Sequence, residues 1–586
     1  MRLWGKFGGI NSLKEKVLAK TDAFRPGEVT AAPGGQLAHP QHIAHSQRLQ
    51  EKFYAVGPNA WCYVGNGLSN QTFIRGPGGI IAIDTGECVE EMQQAIKQLR
   101  TQTDLPITAC IYTHFHYVAG TTAICDDRGD ANFPIYGHSG IEDNLQRFGG
   151  EVGPRGSRGM VHQFAMMLPE SGPDGLVNIG LGRFYRNPGH APYTPGHLPA
   201  TETFDEPFET TIAGLRTVFY PAPSDATDSV NIHFPDLDLA VNNIFWPTLF
   251  NIFAIRGEEY RDPRILLVGL DELAELNVEH QICAHGPPMS GRSDIRQSIE
   301  RYRDSIQLIW DQTVRFANRG FTLDEMIHEI KLPDDFEADF HTQQLYGVVE
   351  HHVRQVYTGL FGWFDEDASR LFPVPPRARA EKMIAGFGGR AMMRTRFDEA
   401  LADQDYRWAL ELGHYLTVAE DLDAPDEDRL RLASALRAVG QSSPGANIRN
   451  WCLTRALEVD GTIDLKRFRI HRIREAEVLA GEAARWVAIL RVFLDAEQAT
   501  GFSDRIGFSF DDGSRGGLMV RHSVAVPVEF DTCALQWSLP AASWAKLLSG
   551  KQTLSAVLEE TCLLEPSEQD RIRMFLGLFD PASLKQ

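Results

Sequence analysis

The stretch Ile111–Gly120, IYTHFHYVAG, decides how the first half of this chain is read. An apolar run, ITAC (107–110), leads straight into two histidines at i and i+2. In extended backbone alternate side chains leave the same face, so His114 and His116 can reach one ion. Neutral imidazole nitrogen suits zinc and the other late first-row metals. With 19 histidines in the chain, H-x-H alone is a weak signal. Three other stretches strengthen it. IIAIDTG ends at Asp84, HQICAHG ends at His285, and APSDATDS places Asp225 in a turn between strands. Ligands gathered at strand ends on one side of a sheet are a usual way to build a site.

Working outward, residues 61–85 alternate in strand fashion between Gly-rich turns and read as hairpins. CVEEMQQAIKQLR reads as a helix, ITACIYT and FPIYGH as the next strands. This β-β-α-β order predicts an α/β layered domain. Residues 150–200, rich in Gly and Pro, read as a long surface excursion. LRTVFYPAPSDATDSVNIHFPDLDLAVNN supplies further strands, and EHQICAHGPP the last. Helical spacing takes over near 293 and runs to about 440; AVGQSSPGAN (438–447) reads as a linker. The tail carries strands in DRIGFSF, GGLMVRHSVAVPV and ALQWSL and helices in AASWAKLLSG and EQDRIRMFLGLF, a small α+β domain.

At 586 residues the chain exceeds what a single core supports. Its net charge of −21 argues against nucleic acid as a partner, because phosphate binding needs clustered Lys and Arg. A small anionic substrate needs only one or two local cations. No run reaches the ~18–20 apolar residues of a membrane span, and MRLWGKFGGINSLKEKVLAKTDAF has no signal-peptide core. The eight cysteines form no C-x-x-C pair and read as reduced thiols of a cytoplasmic protein.

The IDTG strand, a helix, and a strand ending in T-H-x-H resemble the metallo-β-lactamase fold. LSNQTFIRGPGGIIAIDTG, NIFAIRG, QTVRFANRGFT, GLFGWFDEDASRLFPVPP and DYRWALEL narrow this to the alkyl sulfatases of that superfamily. The resemblance runs from about residue 36 to the end. It implies an αββα metallo-β-lactamase sandwich over 1–292, an all-α helical dimerisation domain over 293–440, and a sterol-carrier-like α+β domain over 448–586.

Residue by residue, the family's T-H-S-H-x-D-H becomes THFHYVA here, so its Asp and third His are lost to Val118 and Ala119. Asp225 stands in place of a Glu ligand, and Asn243 in place of a bridging Glu. The resemblance implies His114, His116 and Asp225 as ligands of one ion, Zn2+ first and Fe2+ as the alternative. His285 matches the last family ligand and serves either as ligand or as acid/base. Arg256 and Asn251 match anion-holding positions, with Asn243, Tyr346 and His351 also toward the substrate. Asp84 matches a position that orients the histidine loop. The expected activity is hydrolysis, by a homodimer, of a sulfate or related ester of an apolar alcohol. Two His and one Asp also form the facial triad of non-haem iron oxygenases, and a lipid-binding dimer without chemistry is a third reading.

Other histidines have plainer expectations. His39, His42 and His45, three apart, share a face of what reads as a surface helix. His190 and His197 read as solvated loop residues that can also replace lost ligands. His138 ends a strand on the site's edge, and His233 reads as a hydrogen-bonded core residue.

Overall fold

Strand Gly79–Ile83 (GIIAI) is apolar along its whole length and buried on both faces, as a strand between two covering layers must be. The computed structural model describes residues 27–149, 151–418, 423–468, 473–561 and 565–585. That strand is the middle of a seven-stranded sheet. Lys52–Val56, Ala60–Val64 and Gln71–Gly76 join it by antiparallel hairpins; Ile107–Ile111, Ile135–His138 and Glu202–Phe204 follow in parallel. A six-stranded sheet faces it, from Phe208–Ile212 through Leu215–Pro221, Val230–Phe234, Leu239–Asn242 and His280–Cys283 to Met289–Ser290. Ile74, Ile81, Ile83 and Ile111 of the first sheet pack on Phe219, Ile232, Phe234 and Val241 of the second. Helix Val89–Leu99 covers the outer side of the first, burying Met92, Ala95, Ile96 and Leu99. Helix Pro263–Glu275 turns Leu266, Leu270 and Leu273 inward beside the second. This is the expected αββα sandwich.

The described residues divide into two compact units: those up to Leu145 together with Gly159–Asp464, and Gln146–Arg158 with Leu465 onward. Residue 292 marks no break. Helix Arg292–Ala317 sets Ile295, Ile299, Tyr302, Ile306 and Ile309 into the same core as Trp246, Phe250, Leu266 and Leu270. The stretch read as a linker, 438–447, is instead the end of helix Asp426–Ser442, a short turn, and the start of Ala446–Val459. Its Ser and Gly residues mislead because they are buried: Gly440 and Gly445 let backbone and side chains of neighbouring segments approach. The boundary therefore lies at 464, not 440–447.

The second unit builds a four-stranded sheet in the order Val524–Val528, Arg515–Arg521, Asp504–Phe510, Leu535–Leu539. Phe508, Trp537, Trp544, Phe575 and Phe579 fill its core. Among the described residues no helix is long and apolar enough to cross a membrane, and the seven described cysteines are free thiols; Cys562 lies outside them.

The Gly/Pro-rich segment after 150 is not a surface excursion. It opens with helix Gly153–Gln163 and buries Phe164, Asn178, Ile179 and Leu181. Irregular backbone is tolerated inside when side chains satisfy its polar groups, and Asn178 does so, donating to His42 O at 2.9 Å and accepting from Gly180 N at 2.9 Å.

The histidine stretch itself is held by backbone bonds to the Asp84 loop. Thr85 N donates to Tyr117 O at 2.8 Å and Ala119 N to Gly86 O at 3.0 Å. A Cβ on Gly120 would stand 2.1 Å from Thr85 O and 2.7 Å from Cys88 O. Gly120→Ala is expected to part the two loops and cost about 1–3 kcal/mol, read as a lower thermal unfolding midpoint; an unchanged midpoint would show that the contact is not constraining.

Candidate metal centre

Asp84, His114, Asp225, Asn243 and His285 all follow the C-terminal ends of strands, at one edge of the two sheets. Asp84 turns out of its strand at φ 57°, a left-handed conformation that Asp tolerates better than most residues. The turn aims its carboxylate at the next strand end. Oδ1 accepts from Thr113 N at 2.8 Å and Oδ2 from the Thr113 hydroxyl at 2.7 Å. Burial raises Asp84 to about 7 against those two bonds. Once ionised it can only accept, so the hydroxyl proton of Thr113 is committed to it. The Thr113 oxygen then accepts from His114 Nδ1, 2.8 Å away. That leaves His114 Nε2 without a proton, facing the site. A carboxylate thus fixes the tautomer of a ligand-type histidine, here through an interposed hydroxyl.

His114 Nε2 lies 3.0 Å from His116 Nδ1. Asp225 closes the group, Oδ1 at 3.8 Å from His114 Nε2 and Oδ2 at 3.2 Å from His116 Nδ1. One donor atom from each residue falls within 4.8 Å of the others. Two nitrogens bound tetrahedrally to zinc stand about 3.4 Å apart, so a small opening of the pair admits an ion. Electrostatics agree. Burial disfavours an ionised Asp225, yet the His114 and His116 imidazoles hold it well below the carboxylate range. Burial would lower His116, yet Asp225 raises it. Burial takes His114 down to about 3, against the pull of the Asp225 carboxylate. The pocket is thus arranged around one positive charge. Asn243 does not face outward: its Nδ2 donates to Asp225 Oδ1 at 2.6 Å, steering that carboxylate toward the histidines.

His285 is placed otherwise than the motif implies. Its Nδ1 meets Leu68 O at 3.1 Å, and the Tyr117 hydroxyl lies 3.2 Å from Nε2. Donating to Leu68, it accepts from Tyr117. Burial lowers it to about 4, so it is neutral. It lies outside the group formed by His114, His116 and Asp225. Tyr117, which carries no motif signal, precedes Val118 and Ala119 and sets its hydroxyl against His285.

Arg256 is also more engaged than expected. Glu258 receives the guanidinium of Arg256 on one oxygen and that of Arg261 on the other. Its Oε1 is 4.0 Å from His116 Nε2. Burial disfavours the charge of Arg256, but Glu258 keeps it fully protonated. Tyr346 belongs to the same cluster: its oxygen lies 3.3 Å from Arg256 Nη1 and 2.7 Å from Gln163 Nε2. Asn251 lies behind, fully buried; its main-chain carbonyl accepts from Arg261 at 2.7 Å and its side-chain Nδ2 has no hydrogen-bond partner. Glu87, half-buried near Arg186 and His116, and Asp228, which accepts from Phe115 N at 3.1 Å, also border the site. Carboxylates scattered through loops carry no spacing signal.

The remaining candidates fall elsewhere. His351 lines a separate cavity of about 670 Å3 with Ile255, Tyr406 and Trp451. His42 and His45 are fully buried, against Pro444 O at 3.2 Å and Gly180 O at 2.7 Å, not on a surface helix. His138 accepts from Gly140 N at 3.0 Å, and His197 pairs with Glu142 at 2.8 Å. His190 is buried rather than solvated, and His233 is half-buried at the sheet. None of these joins the group at His114.

Residues 322–461 match a family model described as alkyl sulfatase dimerisation. The chain is 32% identical, over 86% of its length and 98% of the relative's, to a linear primary-alkylsulfatase of Pseudomonas sp.. The chain belongs to the alkyl sulfatase family. It is 24% identical to an (R)-specific secondary-alkylsulfatase of Pseudomonas sp., across 91% of this chain and 81% of that protein. The solved structure of the stereoselective inverting sec-alkylsulfatase Pisa1 from Pseudomonas sp. superposes with a TM-score of 0.81 at 20% identity, covering 98% of this chain and 96% of the other. That likeness is one of fold. Within this alkyl sulfatase, the Asp84–Thr113–His114 relay is open to test. Thr113→Val keeps the shape and removes the hydroxyl. It should weaken divalent-cation binding by about 10–100-fold with an unchanged circular dichroism spectrum, measured by competition with a chelating dye; equal affinity would dismiss the relay.

Proposed function

We propose that the protein hydrolyses sulfate esters of apolar alcohols, using one divalent ion held by His114, His116 and Asp225. The observation that supports it most is the near end-to-end identity to a linear primary-alkylsulfatase, joined to a two-histidine, one-carboxylate group beside a buried arginine pair. An ion bound there supplies Lewis acidity and acidifies water. Zinc fits the N,N,O donor set, with ferrous iron as the alternative.

The chain's own residues do the rest. Asp84 and Thr113 hold the His114 tautomer. Asn243 steers Asp225. The guanidiniums of Arg256 and Arg261, both against Glu258, set positive charge beside the site, suited to the negative charge of a sulfate monoester. Arg256 presents it by charge-assisted hydrogen bonds, with the Tyr346 hydroxyl beside it and Asn251 Nδ2 behind. His285 takes no part as a ligand in this reading. Neutral and joined to the Tyr117 hydroxyl, it is a proton relay at the wall of the site. We read the region 322–461 as the self-association surface of a homodimer, and the C-terminal unit as sterol-carrier-like.

His114→Ala should abolish sulfate release from a linear primary alkyl sulfate; full turnover by that variant would refute the assignment. Arg256→Ala should raise KM by about tenfold or more, the loss of a charge-assisted hydrogen bond being worth about 1.5–3 kcal/mol. Unchanged KM would remove the anion-holding role.

A further inference from the structure

We propose that Cys88, Glu91 and His190 form a second metal site, taking a thiolate-accepting divalent ion of the zinc class. Cys88 is the N-cap of helix Val89–Leu99 and Glu91 lies in its first turn, so the C-x-x-E spacing sets both on one face. His190 arrives from a distant segment, at the end of the short turn Pro188–His190. One donor atom from each lies within 4.8 Å of the others. The three ligands of a tetrahedral zinc stand about 3.3–3.8 Å apart, so closing on an ion requires a shift of the order of 1 Å.

Two further observations point to a ligand. His190 is 6% exposed, and its buried Nδ1 has no hydrogen-bond partner. A buried imidazole nitrogen left unsatisfied is costly, and a ligand would satisfy it. The Glu91 carboxylate is also built in rather than merely buried. Gln71 Nε2 donates to Oε1 at 2.7 Å and Glu87 N to Oε2 at 3.2 Å. Gly67 and Gly86 close on it so tightly that an added Cβ would stand 2.3 Å and 2.4 Å from Oε1. Such outer contacts orient ligands in metal sites. Asn187 anchors the other side, donating to Asn66 O at 3.0 Å and accepting from Gly189 N at 3.0 Å.

Charge and access fit as well. Binding a divalent ion leaves Cys88 as thiolate and Glu91 as carboxylate beside a neutral imidazole, with any displaced protons passing to water. A solvent cavity of about 380 Å3, bordered by Glu51, Glu90 and His190, reaches the group from the His190 side. Filled, the site would staple the 187–190 turn to the helix that follows the Asp84 loop.

Cobalt separates this site from the centre at His114, because only this one offers sulfur. Chelator-stripped full-length protein is titrated with Co2+ and followed in the near ultraviolet for sulfur-to-cobalt charge transfer. The band should appear in the wild type, vanish in Cys88→Ser and in His190→Ala, and persist in Cys125→Ser. It should also persist in His114→Ala, so that failure here and failure of the sulfatase reading are distinguishable. After zinc loading, His190→Ala should hold one ion fewer per chain than the wild type. Absence of the band at saturating cobalt, or its survival in His190→Ala, would overturn the proposal.

Discussion

The paired hydrogen bonds from Thr113 to Asp84 tie together the ends of the two central parallel strands. Everything in the site is referenced to that clamp. It sets the direction of His114, which sets where His116 and Asp225 must converge. Backbone bonds from Thr85 and Ala119 continue the same seam past the histidines. The cost is visible in the left-handed backbone of Asp84, a strain that persists because surrounding contacts over-determine it.

Around the clamp, charge is organised as alternating partners. Asp225 balances the histidines, and Glu258 balances two arginines a few ångströms further on. Buried charges are tolerated only when paired in this way. The net result is a pocket that favours a cation at one end and an anion at the other. The space around His285 is filled by side chains. Tyr117 lies against His285, and Trp246 packs its ring edge-on to the same imidazole at 5.6 Å.

Much of this was legible in the sequence, because strand ends leave strong local marks. IIAIDTG and ITACIYTHFH show apolar strands stopping at polar groups, and the structure places Asp84, His114 and His116 there. Asp225 is found by its place between two strands. What stayed hidden depends on contacts far apart in the chain. Glu258 gains meaning only from Arg261 and His116 around it. Tyr117 looks like filler until His285 lies opposite. Buried Gly and Ser at 440–447 look like a linker, since composition cannot tell an exposed loop from a tight crossing. The same limit disguised His42, His45 and His190, whose segments are polar in sequence yet enclosed in the fold.

The shared core of helix Arg292–Ala317 and the second sheet has an evolutionary corollary. A chain stopped at 292 would leave Trp246, Leu266 and Leu270 facing water, an apolar face prone to self-association. The hydrolytic layer is therefore not a cassette that recombination can lift out at the point where its strands end. The helical region up to Asp464 belongs to the same compact unit as the two sheets.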